Sequence, residues 1–78
     1  MPDVELERTQ ALSREEAGRR LIAVGEALVK GARSELELDG DRISFFVADQ
    51  VNWEFELEVD GPETELEIEL RWRHAPAS

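Results

Sequence analysis

The run Trp53-Glu54-Phe55-Glu56-Leu57-Glu58-Val59-Asp60, then Gly61-Pro62, then Glu63-Thr64-Glu65-Leu66-Glu67-Ile68-Glu69-Leu70-Arg71-Trp72-Arg73, alternates apolar and charged residues almost without a slip. A β-strand sends successive side chains to opposite faces, so the run specifies two neighbouring strands with one apolar face and one carboxylate-covered face. Gly61-Pro62 punctuates the turn between them. By parity Trp53, Phe55, Leu57, Leu66, Ile68, Leu70 and Trp72 share the apolar face and are expected to form the sheet's part of a core. Glu54, Glu56, Glu58, Glu65, Glu67 and Glu69 share the other face.

Working back along the chain, Ser34-Glu35-Leu36-Glu37-Leu38, Asp39-Gly40-Asp41 and Arg42-Ile43-Ser44-Phe45-Phe46-Val47 read as a β-hairpin on an Asp-Gly turn. Leu36 and Leu38 are expected to face inward with Ile43, Phe45 and Val47. Phe46 has outward parity, so it is either turned by a bulge or an exposed aromatic. Before this hairpin, Ser13-Arg14-Glu15-Glu16 matches a capping box, with Ser13 bonding the Glu16 amide and Glu16 reaching back. Steps of 100° place Ala17, Gly18, Leu21, Ile22, Val24, Gly25, Leu28 and Val29 on one arc of a helix over residues 15 to 30. Glu15, Glu16, Arg19, Arg20, Ala23, Glu26, Ala27 and Lys30 fall on the other. Gly31 is the expected stop. Gly18 and Gly25 each weaken a helix by about 1 kcal/mol relative to alanine, and the expected compensation is a close approach to the sheet, leaving room for Trp53, Phe55 and Trp72.

Val4-Glu5-Leu6-Glu7 also alternates and is expected to add a strand, whereas His74-Ala75-Pro76-Ala77-Ser78 reads as a flexible tail, residues 74–78. The element order is then β-α-β-β-β-β. It implies one α+β domain over residues 1–78: a two-layer sandwich with one α-helix packed on a mainly antiparallel sheet of four to five strands. A chain of 78 residues holds one small core at most, and with no cysteine it has neither disulfides nor thiolate zinc sites.

The formal net charge of -10 is unevenly placed. Residues 1–33 carry six acids and six bases, whereas residues 34–70 carry thirteen acids against Arg42 alone. Such a field repels phosphate backbones and anionic lipid, so neither direct nucleic-acid binding nor membrane binding is expected. The start lacks a signal-peptide pattern and no stretch approaches the roughly 20 apolar residues of a membrane span, which leads to the expectation of a cytoplasmic protein.

No enzymatic pattern emerges. His74 is the only histidine and lies in the tail. No serine has an evident base, and the glycines form no phosphate loop. No cofactor, metal site or catalytic residue is therefore assigned, and a non-enzyme is expected. The six glutamates could in principle hold a hard cation, since cross-strand neighbours lie about 5 Å apart; a solubilising or salt-adapted face is the simpler account. Asp39-Gly40-Asp41 lacks the remaining ligands of a calcium loop. Arg71 and Arg73 are placed to pair with acids of the neighbouring strand. Like charges directly opposite one another destabilise a sheet by a few tenths of a kcal/mol per pair, on the order of magnitude known for such pairs.

The helix with Arg14-Glu15-Glu16-Ala17, the Glu35-Leu36-Glu37-Leu38-Asp39-Gly40 hairpin, the run Glu54 to Val59 and the closing Glu65-Leu66-Glu67-Ile68-Glu69-Leu70-Arg71-Trp72 together resemble the small prokaryotic Amphi-Trp domain proteins over residues 13 to 73. The resemblance implies a family of unestablished molecular function, with no catalytic residues to carry over. The chain reads best as a protein-interaction module presenting Glu54, Glu56, Glu58, Glu65, Glu67 and Glu69 to a basic partner. A nucleic-acid-charge mimic, a divalent-cation-binding protein and a carboxylate-dependent hydrolase are the alternatives. Self-association as a homo-oligomer through edge strands is a separate option.

Overall fold

Ser13 starts the helix as expected: its backbone is extended and its side chain accepts from the Glu16 amide at 3.0 Å. The other half of the capping box is replaced, because the Glu16 carboxylate takes Arg19 at 3.4 Å. In this computed structural model, which describes residues 5–73, helix α1 runs Arg14–Lys30 and is followed by strands β1 (Arg33–Leu38), β2 (Asp41–Phe46), β3 (Asn52–Asp60) and β4 (Glu63–Arg71). Gly31 ends the helix with φ at 145°, a region that favours glycine.

Both turns follow from their residues. Asp39 and Gly40 have φ of 50° and 86°, the two positive values that a type I′ hairpin loop requires. Gly61 supplies a positive φ of 58° ahead of Pro62, so a second two-residue loop closes between Asp60 and Glu63. The pairing β1–β2 runs from Leu38↔Asp41 to Arg33↔Phe46 without a bulge. Phe46 is therefore the exposed aromatic of the two options, with the Arg33 guanidinium 5.0 Å from its ring centroid.

The chain is α+β, one helix with two antiparallel two-stranded sheets, β1–β2 and β3–β4. The expected meander of four to five strands in one sheet thus divides into two hairpins. Its physical cause lies between them: Val47 donates to the Ala32 carbonyl at 2.7 Å, extending the first hairpin past Phe46, and residues 47–51 then leave strand geometry before β3 begins. Among the described residues the expected N-terminal strand is not formed either. Glu5, Leu6 and Glu7 are in no strand, and Val4 lies outside the described residues, as does the expected tail with His74.

Among the described elements helix α1 packs on β1 alone. At that contact Ala27 is buried and Ser34 is 1 % exposed, its hydroxyl donating to the Ala27 carbonyl at 3.3 Å. Leu36, Leu38, Ile43, Phe45 and Val47 alternate inward as expected and are half-buried. The helix is rotated from its expected orientation, however. Ala27, placed by the wheel on the outer arc, is its buried residue, while Leu21, Ile22, Gly25 and Val29 of the expected inner arc are exposed. Arg20 explains the rotation in part: it reaches Asp39 of the first turn at 3.3 Å, which holds its side of the helix over the hairpin.

The largest correction concerns β3–β4. Trp53, Phe55, Leu57, Leu66 and Ile68, expected in the core, are all exposed, Trp53 to 62 % and Ile68 to 41 %. Only Leu70 and Trp72, at the base of the hairpin, are half-buried. The close-approach role of the glycines falls with them. A Cβ at Gly18 or Gly25 would meet nothing within 4 Å. Consistent with an outlying hairpin, the radius of gyration is 14.7 Å, against about 11.5 Å for a compact chain of this length.

Candidate functional site

The second hairpin brings the six sequence-assigned acids together as facing partners: Glu54↔Glu69, Glu56↔Glu67 and Glu58↔Glu65. Between them run the apolar pairs Trp53↔Leu70, Phe55↔Ile68 and Leu57↔Leu66. Counted from the two-residue loop, the acids occupy the hydrogen-bonded sites, where Cα atoms stand about 5.5 Å apart, and the apolar residues the closer sites at about 4.5 Å. The wider spacing limits carboxylate repulsion, and the narrower one packs the apolar pairs. Asp60↔Glu63 adds a fourth facing acidic pair beside the loop. Those two residues escaped the sequence assignment, although the loop Gly61-Pro62 already fixes their opposition.

Neutralising partners are distributed unequally. At the first turn Asp39 pairs with Arg20, and Asp41 with Arg8 at 2.5 Å. On the second hairpin the ion pair among the described residues is Arg71 with Glu69 of its own strand. The expected cross-strand pairing of Arg71 is thereby replaced by one within β4; its register partner is Asn52. Arg8 and Arg20 therefore serve the first hairpin, and the acidic face of the second stands largely uncompensated among the described residues.

Glu67 responds to this most clearly. Its carboxyl is pushed above the ordinary glutamate range, first by a side-chain hydrogen bond with Glu65, then by the charge of Glu65 and that of Glu56, with smaller effects of desolvation and Glu69. The response comes from neighbouring carboxyl groups, by hydrogen bonding first and charge second, on an exposed face rather than from enclosure. An open depression lined by Asn52, Trp53, Glu54, Glu69 and Arg71 adjoins one facing pair, Glu54 and Glu69. Among the described residues no three or more His, Cys, Asp or Glu side chains converge as a metal-ligand group. No helix among them is long and apolar enough to cross a membrane.

At the base of this hairpin Trp72 closes the amphipathic strand β4. Its indole Nε1 donates to the Phe46 carbonyl at 3.1 Å and its ring stacks with Phe45, centroids 6.2 Å apart. The family model of the Amphi-Trp domain matches residues 1–78, the whole chain. The chain belongs to the Amphi-Trp family. The match extends beyond residues 13 to 73, where the sequence resemblance is carried, to both ends of this Amphi-Trp chain. Neither the curated proteins nor the solved structures compared with it include a match.

Proposed function

We propose that this Amphi-Trp domain is a non-catalytic interaction module whose acidic hairpin face docks on a basic protein surface. The observation that carries the reading is the ladder of facing acids, Glu54↔Glu69, Glu56↔Glu67, Glu58↔Glu65 and Asp60↔Glu63, with Arg8 and Arg20 engaged at the first turn. Facing like charges oppose strand pairing by a few tenths of a kcal/mol each, on the order of several such terms here. A cationic surface lying across the ladder reverses the sign of that contribution and draws the complex together over a Debye length, about 8 Å at physiological ionic strength. In this reading the apolar face of the hairpin is architectural, and the acidic face stays open to a partner in a prokaryotic cytoplasm.

The test compares two double variants of equal net charge in capture of basic proteins from native lysate, at ~0.05 M and ~0.5 M salt. Glu56→Lys with Glu67→Lys strikes the ladder; Glu35→Lys with Glu37→Lys strikes the first hairpin. A partner retained by the native chain and by the second variant, lost by the first and released at high salt, supports the proposal. Equal loss in both variants reduces it to net charge, and equal retention refutes it.

A further inference from the structure

We infer that the apolar face of the β3–β4 hairpin is covered by a second copy of this chain, seated on the exposed glycine-bearing face of that copy's helix α1. The inference concerns the face opposite the acidic ladder and is independent of any basic partner. It starts from two surfaces that this chain leaves uncovered. One is the hairpin face of Trp53, Phe55, Leu57 and Ile68; the other is the helix face of Leu21, Ile22 and Val29. A lone two-stranded hairpin is marginal in water at best, so β3–β4 needs a cover to persist.

Area bounds the size of that cover. A folded monomer of this mass exposes about 4,800 Å², whereas this chain exposes 7432 Å². The surplus is roughly 2,600 Å² by the same scaling. Halving it, to allow for residues 5–13, all of them exposed, and for those outside the described range, leaves about 1,300 Å² per chain, above the ~800 Å² per partner of a standard interface and in the range of obligate dimers.

Glycine placement identifies the surface that receives the hairpin. Gly18 and Gly25 sit seven positions apart on the same side of α1 as Ile22, and each weakens the helix by about 1 kcal/mol. Within the chain the space above them is empty. Aromatic rings such as Trp53 and Phe55 fill such a strip when they arrive from outside. The dimensions agree: nine-residue strands extend about 30 Å, and a helix of 17 residues about 25 Å.

Charge favours hairpin on helix over hairpin on hairpin. Asn52–Arg71 carries eight acids against Arg71, so pairing two hairpins concentrates like charge. The helix surface is instead close to balanced, with Arg14 and Lys30 against Glu15 and Glu26 and with Arg19 paired to Glu16, so a hairpin seated on it meets no comparable like charge. With each copy giving a hairpin and a helix, the exchange is reciprocal and closes as a two-fold dimer.

Sedimentation of the native chain from low micromolar to millimolar concentration is expected to give twice the chain mass. A folded monomer throughout overturns the inference without use of any variant. Two variants then locate the contact, Ile22→Glu on the helix and Ile68→Glu on the hairpin, each expected to sediment as a monomer with helical circular dichroism retained. Mixed together they are expected to recover a dimer, because the intact hairpin of the first meets the intact helix of the second. A native dimer that Ile22→Glu leaves dimeric means hairpin on hairpin and overturns the assignment, as does a pair of monomeric variants that fails to form a dimer on mixing.

Discussion

Trp72 ties the second hairpin to the first by two contacts made with adjacent residues: its Nε1 donates to the Phe46 carbonyl at 3.1 Å, and its ring stacks on Phe45 at an interplanar angle of 23°. The indole is well suited to this position because it carries one donor on a large apolar body. Trp72→Phe keeps a ring for Phe45 and removes the donor; it is expected to lower stability by about 0.5–1.5 kcal/mol, read as a shift in the urea midpoint. Trp72→Ala removes both contacts and is expected to shift the midpoint further. An unchanged midpoint in Trp72→Ala contradicts a joining role.

Gly25→Ala is expected to have opposite effects on the helix and on association. In separated chains the added methyl meets open space, so helicity rises, with about 1 kcal/mol of stabilisation. Between copies the same methyl occupies the strip where a ring seats, so the dissociation constant rises. Circular dichroism at dilution and sedimentation at high concentration read the two effects separately. Tighter association in the variant contradicts a filled glycine strip.

Ser34→Ala tests the helix–strand contact. The Ser34 hydroxyl is buried and donates to the Ala27 carbonyl, a bond whose loss costs about 1 kcal/mol. The expected consequence is faster amide exchange in the last turn of α1 and in β1, the two elements that meet at this contact.

The acidic ladder gives a pH dependence of definite sign. Glu67 has a folded-state pKa raised above its unfolded value, chiefly by Glu65, so the folded chain binds that proton more tightly than the unfolded one. Its contribution opposes folding in full above the folded pKa and disappears as pH falls through that value to below the unfolded one. Hairpin stability is therefore expected to rise on mild acidification. A carboxyl-detected NMR titration should place the Glu67 midpoint above that of a glutamate in an unstructured peptide, and Glu65→Gln should bring it down. Added sodium chloride is expected to stabilise the isolated chain by screening the facing pairs. Loss of stability with salt contradicts repulsion as the dominant effect.

The legible part of this fold is its local part. Ser13, Gly31, Asp39-Gly40 and Gly61-Pro62 act through their own backbone preferences, and the caps, turns and registers follow from them. The facing glutamates were legible for the same reason, since period-two alternation and a two-residue loop fix which carboxylates oppose one another. What alternation does not contain is what covers the apolar face. Trp53, Phe55 and Leu57 are spaced for burial, yet the same spacing serves burial against the chain's own helix or a second copy's. Ala27 shows the parallel limit for a helix: a wheel gives an apolar arc, while the packed side also depends on ties such as Arg20 to Asp39. The division into two hairpins was equally hidden, because it turns on the path of residues 47–51, which carry no periodic signal.

The central claim, that the apolar hairpin face finds its cover on another copy, is tested most directly by isotope-filtered NOE spectroscopy on an equimolar mixture of carbon-13-labelled and unlabelled chains. The predicted result is a set of intermolecular NOEs linking the rings of Trp53 and Phe55 to the methyls of Leu21, Ile22 and Val29. Finding those NOEs only within one labelled chain, with none across the mixture, would contradict it.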